Sequence, residues 1–258
     1  RWIRRLLEEF GAVVVEPWVN CVVDLSVQFE VDESGTISTV GLVRFITDRR
    51  GQYRGSFVHQ KTAGLDEEAR RFLYGDGRDS HRLERIFDKL GSYMIEETAL
   101  GDSCFAGPVG VDAMVYRDRS GALRLNPLVE VNPRFTMSRV ALGMAPRVHA
   151  ARTALWLVLS TRELTEASGG GEVFALARDL EQREPVEHTG DGQISRGILF
   201  TTDPGAASAF SSVLVVSETL AGCRQLLGPL GGVLPTDLFG VAGRDTVAQH
   251  EPIASERR

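Results

Sequence analysis

Lysine is almost missing from this chain: among 258 residues, only Lys61 and Lys89 occur. The formal net charge is −6, and no block of basic residues interleaved with aromatics appears. Nucleic-acid binding rests on cations that neutralise phosphates, so this composition argues against such a partner. Cysteine is scarce as well. Cys21, Cys104 and Cys223 are scattered without metal-ligand spacing, so we expect free thiols in a reducing, cytoplasmic compartment. The histidines at 59, 81, 149, 188 and 250 share no ligand spacing either, and structural roles are expected for them. No apolar run approaches the roughly 20 residues that span a bilayer. The longest, residues 150–160, is interrupted by Arg152, so no membrane partner is expected.

The stretch that stands out is Leu128-Val129-Glu130-Val131-Asn132-Pro133-Arg134. In a strand, side chains alternate faces, so Glu130 and Asn132 point the same way. Both offer the hard oxygen ligands that Mg²⁺ takes. Pro133 ends the ladder, and Arg134 then places a fixed planar cation nearby. Two oxygen ligands, a divalent ion and a guanidinium suit polyphosphate chemistry. Taken alone, the stretch reads equally well as an edge strand with a solvated polar face.

Taken in order, the chain opens with an amphipathic helix over residues 2–10, with Ile3, Leu6, Leu7 and Phe10 on one face and Gly11 as its cap. A short strand is expected over 12–15. Residues 22–31 have the clearest strand pattern, with Val23, Leu25, Val27, Phe29 and Val31 on one face and Asp24, Ser26, Gln28 and Glu30 on the other. Strands over 36–47 and 52–60 follow, making an antiparallel meander. Helices are expected over 65–73 and from Ser80 to about 99. A second hairpin, 109–117 with 122–132, carries Asp112 on one arm and Glu130 and Asn132 on the other. Three oxygen ligands then converge from adjacent strands. A helix is expected after Thr136, and another from Pro146 to about 161. Residues 168–171 are a glycine-rich break. Beyond it the pattern gives strands over 195–201 and 212–217, and a helix over 218–227. Arg44, Arg54 and Arg139 are candidates to bind a carboxylate substrate but read better as ordinary surface arginines.

Two separated signals, in the right order, resemble the ATP-grasp superfamily. Glu16-Pro17-Trp18-Val19, followed by Asp24, is similar to the hinge between that family's lid and central domain. Gly110-Val111-Asp112-Ala113 with Glu130-Val131-Asn132-Pro133-Arg134 is similar to its metal site. The resemblance implies an α+β fold: an ATP-grasp-like core with an antiparallel sheet and packed helices, plus a C-terminal α/β extension. It divides the chain into the tail of a lid (1–15), the core (16–165) and an extension (172–258). It implies that Glu16, Trp18 and Val19 contact adenine, Asp24 contacts ribose, and Asp112, Glu130 and Asn132 hold Mg²⁺ or Mn²⁺ on ATP. Arg134 would then be the electrostatic catalyst.

The implied activity is that of a ligase. ATP would activate a small-molecule carboxylate as an acyl phosphate, and an amine, thiol or other nucleophile would displace phosphate. The alternative is a non-catalytic module of the same fold that binds nucleotide or a partner. A metal-dependent nuclease is disfavoured by the net acidity. Pairing of identical copies stays open. The family's glycine-rich loop and phosphate-binding lysines lie upstream of the hinge, and Arg1 falls inside the first helix. We therefore expect further sequence before Arg1, and weak ATP binding by residues 1–258 alone.

Overall fold

A computed structural model describes residues 2–48, 50–75, 83, 85–89, 91 and 105–234. Its strands are β1 (Asn20–Val31), β2 (Ile37–Thr47), β3 (Tyr53–His59), β4 (Gly107–Arg117), β5 (Leu123–Asn132), β6 (Thr153–Ser160), β7 (Glu187–His188), β8 (Ile194–Phe200) and β9 (Phe210–Ser217). Its helices are α1 (Trp2–Phe10), α2 (Glu67–Tyr74), α3 (Met137–Met144), α4 (Thr161–Ala167), α5 (Val173–Arg183), α6 (Leu220–Leu226) and α7 (Pro229–Val233). The strands join in the order β5-β4-β1-β2-β3-β6-β9-β8-β7, and each neighbouring pair is antiparallel. The α+β expectation holds, and β8 and β9, which follow the glycine-rich break, continue the same sheet.

The alternation in β1 decides which face of the sheet is which. Val23, Leu25, Val27, Phe29 and Val31 are buried with Val109, Val111, Ala113 and Val115 of β4. Ala69 and Leu73 of α2, with Leu83 and Phe87, cover that face. Burying each such side chain contributes on the order of 1.5–3 kcal/mol. Asp66 caps α2 by accepting from the Ala69 N–H. The opposite face carries Asp24, Ser26 and Gln28, and α3 packs over it against β1, β2 and β3. Gly41 makes room there, since a Cβ would stand 3.2 Å from Leu142.

Two expected elements are not found. Residues 12–15 form no strand and are exposed, because an apolar tetrapeptide without a pairing partner has no ladder to join. Residues 146–161 are not a helix. Ala145–Arg147 is a single 3₁₀ turn, and the apolar run that follows is the strand β6, held between β3 and β9. A strand buried on both faces shows no alternation, so periodicity cannot separate it from a buried helix. The arginines expected at the surface are also partly buried. Arg44 donates to the carbonyls of Lys61 and Ala63 over the Phe57 ring, Arg54 pairs with Glu163, and Arg139 pairs with Glu30. The cap at Ser80, the 92–99 end of its helix, Cys104 and the tail from Arg244 lie outside the described residues. Among the described residues, no helix is long and apolar enough to cross a membrane.

Candidate functional site

The register of β1, β4 and β5 brings the expected metal ligands together. Asp112 on β4 lies opposite Ser26 on one side and Glu130 on the other. Two residues along, Gly110 lies opposite Gln28 and Asn132. Directly opposed residues share a face of the sheet, so Asp112, Glu130 and Asn132 stand together on the face that α3 covers. A bulge makes this pairing possible. Asp112 and Met114 oppose Glu130 and Asn126, so β5 carries extra residues between them. Pro127 falls inside that bulge, where its missing N–H costs no ladder bond.

These side chains line a cleft of about 390 Å³ together with Trp18, Asp24 and Arg134. Six of the eight residues singled out by sequence therefore meet in one place. Glu16 and Val19 do not line it; Glu16 is exposed in the loop before β1. Trp18 is 64% exposed and stands at the cleft with its ring available. Asp24 accepts from the Thr47 hydroxyl at 2.6 Å and the Cys21 thiol at 3.2 Å, which fixes its carboxylate on β1.

The electrostatics single out Asp112. Burial raises its carboxyl above its ordinary value, and the nearby charges of Glu130 and Asp24 push in the same direction. The Ser26 hydroxyl, 2.6 Å away, and Arg134 oppose that rise. Asn132 is buried, and its side-chain oxygen accepts from Arg134 at 3.0 Å, so the guanidinium is anchored beside the acidic pair. Among the described residues, no three His, Cys, Asp or Glu side chains gather into a self-sufficient metal cluster. The donor set is two carboxylates and a carboxamide, all hard oxygens. It suits Mg²⁺, which binds through one or two carboxylates and completes its octahedron with water and substrate phosphates. It does not suit Zn²⁺, which favours nitrogen and sulfur.

Sequence reasoning missed the rest of the cleft. Phe45 and Tyr53 stack with ring centroids 6.0 Å apart, and both line it with Met114 and Met137. Burial raises the Tyr53 hydroxyl above its ordinary pKa, against a 2.7 Å hydrogen bond with Ser56. At the entry to α3, Thr136 and Ser138 also face the cleft. Ser26 and Gln28, placed on a polar face by their alternation, prove fully buried. The usable signal was their shared face with Asp112, which shows only once the strands are paired.

No protein-family model and no curated protein matches the sequence. Solved structures do. The chain is similar to the ADP complex of an N5-carboxyaminoimidazole ribonucleotide synthetase, with 15% identity and a TM-score of 0.47 over 83% of this chain and 50% of that one. It is similar to N5-carboxyaminoimidazole synthetase from Staphylococcus aureus, with 12% identity and a TM-score of 0.45 over 83% of this chain and 51% of that one. A biotin carboxylase from Campylobacter jejuni gives 12% and 0.45 over 91% and 55%. The chain spans about half the length of each. At such identities and TM-scores we carry no residue role across from them.

Proposed function

We propose that the cleft holds the phosphates of ATP through a divalent cation bound by Asp112, Glu130 and Asn132, and that the protein is an ATP-dependent ligase. Its reaction would activate a small carboxylate as an acyl phosphate, which an amine or another nucleophile then attacks. One observation carries this reading: three oxygen ligands from two paired strands share a cleft with an anchored guanidinium. Phosphoryl transfer asks a protein mainly for positioning and charge stabilisation, which such a constellation supplies.

In this reading, Asp112 and Glu130 are the anionic ligands and Asn132 the neutral one. Mg²⁺, when bound, would offset phosphate charge and orient the leaving group. Arg134, tied to Asn132, would stabilise charge that develops on the transferred phosphoryl group or the acyl acceptor. Trp18 would offer its face to the adenine, with Glu16 and Val19 on the same loop, and Asp24 would accept from the ribose hydroxyls. Mn²⁺ would serve in place of Mg²⁺, and the carboxylate and amine remain defined by class alone.

A specific observation favours a second reading for residues 1–258 taken alone. Among the described residues lining the cleft, Arg134 is the one Lys, Arg or His. One cation is little charge for a triphosphate, so this segment by itself would act as a weak nucleotide-binding module. The discriminating experiment is ADP release from ATP and Mg²⁺ by the full-length protein across a panel of carboxylates. Carboxylate-dependent release that falls roughly a hundredfold in Glu130→Ala, as loss of about 3 kcal/mol of charge stabilisation requires, supports the ligase. Full turnover by Glu130→Ala overturns it. Nucleotide binding without release under any carboxylate leaves the binding module.

A further inference from the structure

Gln28 lies on a central strand with a fully buried side chain, and among the described residues that side chain hydrogen-bonds to Ser26 and Thr136. The Thr136 hydroxyl donates to its Oε1 at 2.8 Å. Its Nε2 donates to the Ser26 hydroxyl at 2.8 Å, and Ser26 donates to Asp112 at 2.6 Å. The Arg139 backbone N–H, at the start of α3, donates to the Thr136 hydroxyl at 3.2 Å. Four hydrogen bonds therefore run in one direction from the N-terminus of α3 to a cleft carboxylate.

The direction is dictated by chemistry. An ionised carboxylate only accepts, so the single proton of Ser26 goes to Asp112. Ser26 must then accept from an N–H, which fixes the Gln28 amide with nitrogen toward Ser26 and oxygen toward Thr136. Thr136 in turn must donate. Reversing any member leaves two donors or two acceptors face to face in a buried place, at about 1–3 kcal/mol for each unsatisfied group. The chain has one self-consistent polarity, and it ends by anchoring one oxygen of the Asp112 carboxylate.

Gly110 is the space the arrangement needs. It lies opposite Gln28 in the ladder, and a Cβ there would come within 2.7 Å of Thr136 and 3.0 Å of the Gln28 amide nitrogen. The register puts a residue without a side chain where the amide must cross from β1 to α3.

We propose that Ser26, Gln28 and Thr136 are positioning residues: a relay that holds the Asp112 carboxylate aimed into the cleft and ties its orientation to the N-terminus of α3. The proposal rests on the metal-site reading above. None of the three touches substrate or cation in this role. They act through Asp112, as the groups behind metal ligands commonly do, at a typical cost of 10–100-fold in metal affinity when removed.

The test is Mn²⁺ binding in the presence of ADP, followed by water-proton relaxation, for the wild type, Ser26→Ala, Gln28→Met and Ser26→Thr, with thermal melts of each. Ser26→Ala and Gln28→Met should weaken Mn²⁺ about tenfold or more, and Ser26→Thr, which keeps the hydroxyl, should bind within about threefold of the wild type. Gly110→Ala, which obstructs the relay without removing a member, should weaken Mn²⁺ as Gln28→Met does. Wild-type affinity in Ser26→Ala and Gln28→Met, with melting alone lowered, means that the cluster is structural and overturns the relay while the metal site stands. Absence of Mn²⁺ binding in the wild type overturns the metal site and the relay with it.

Discussion

Asp112 and Glu130 face each other directly across the β4–β5 ladder, two carboxylates on neighbouring strands with the same orientation. Like charges in that position are destabilising by up to about 1 kcal/mol. A protein has reason to keep such a pair where a cation relieves it.

The first prediction follows from that opposition. In EDTA, Glu130→Gln should melt slightly above the wild type, because the substitution removes the repulsion and Glu130 is exposed enough to leave no buried polar orphan. Differential scanning calorimetry reads this. A variant that melts several degrees lower would show that Glu130 is instead held by a favourable partner in the empty site.

A second concerns the pair Arg54 and Glu163, which joins β3 to the first turn of α4. Glu163 also accepts from the backbone N–H of Ser160 at 2.8 Å, completing the capping box of that helix. Glu163→Ala strands a largely buried guanidinium and removes the reciprocal half of the capping box. The expected loss is on the order of 3–5 kcal/mol, measured by urea unfolding. A loss below about 1 kcal/mol would show that Arg54 finds water or another acceptor.

A third is a pH dependence. Burial pushes the Cys223 thiol from its ordinary 9.0 up to about 12, and it donates to the Thr153 carbonyl at 3.3 Å. Between these values the folded chain keeps a proton that the unfolded chain releases. The fold then binds more protons, and stability must fall as pH rises through that window. Below pH 9 the contribution is fully present. Tyr53 and Tyr74, both raised by burial, act in the same direction. Urea midpoints should decline from about pH 9 upward, and less steeply in Cys223→Ala. Identical slopes would mean that the thiol is hydrated in the fold.

A fourth uses the tryptophans. Trp18 stands at the cleft, Trp2 is exposed on α1 and Trp156 is buried with its indole N–H on Thr201. ADP with Mg²⁺ should quench the emission of the wild type but not of Trp18→Phe. Equal quenching in both would move the base away from the loop before β1.

Much of this was legible in the sequence because it rests on local chemistry. The alternation of β1, the turn residues between the hairpins and the Glu-Val-Asn-Pro-Arg run each state their conformation within a few residues. Asp112, Glu130, Asn132 and Arg134 were readable because strand periodicity and a hairpin already bring them close. What escaped depends on pairing over distance. β6 lost its alternation because both its faces are buried, Leu155, Leu157 and Leu159 in one core cluster and Ala154 and Trp156 in another. Ser26 and Gln28 looked solvated because nothing local says that α3, more than a hundred residues later, closes over them. Arg44 and Arg54 looked like surface charges because their acceptors, the carbonyls of Lys61 and Ala63 and the Glu163 carboxylate, are brought to them by the fold.

The cation site is tested most directly by titrating the chain with Mn²⁺ in the presence of ADP and following the free-ion signal by electron paramagnetic resonance. Asp112→Asn and Glu130→Gln should each weaken Mn²⁺ at least about tenfold, with far-UV circular dichroism unchanged, while Glu33→Gln in an exposed turn should match the wild type. Asp112→Asn and Glu130→Gln proteins that bind Mn²⁺ as tightly as the wild type would contradict the site.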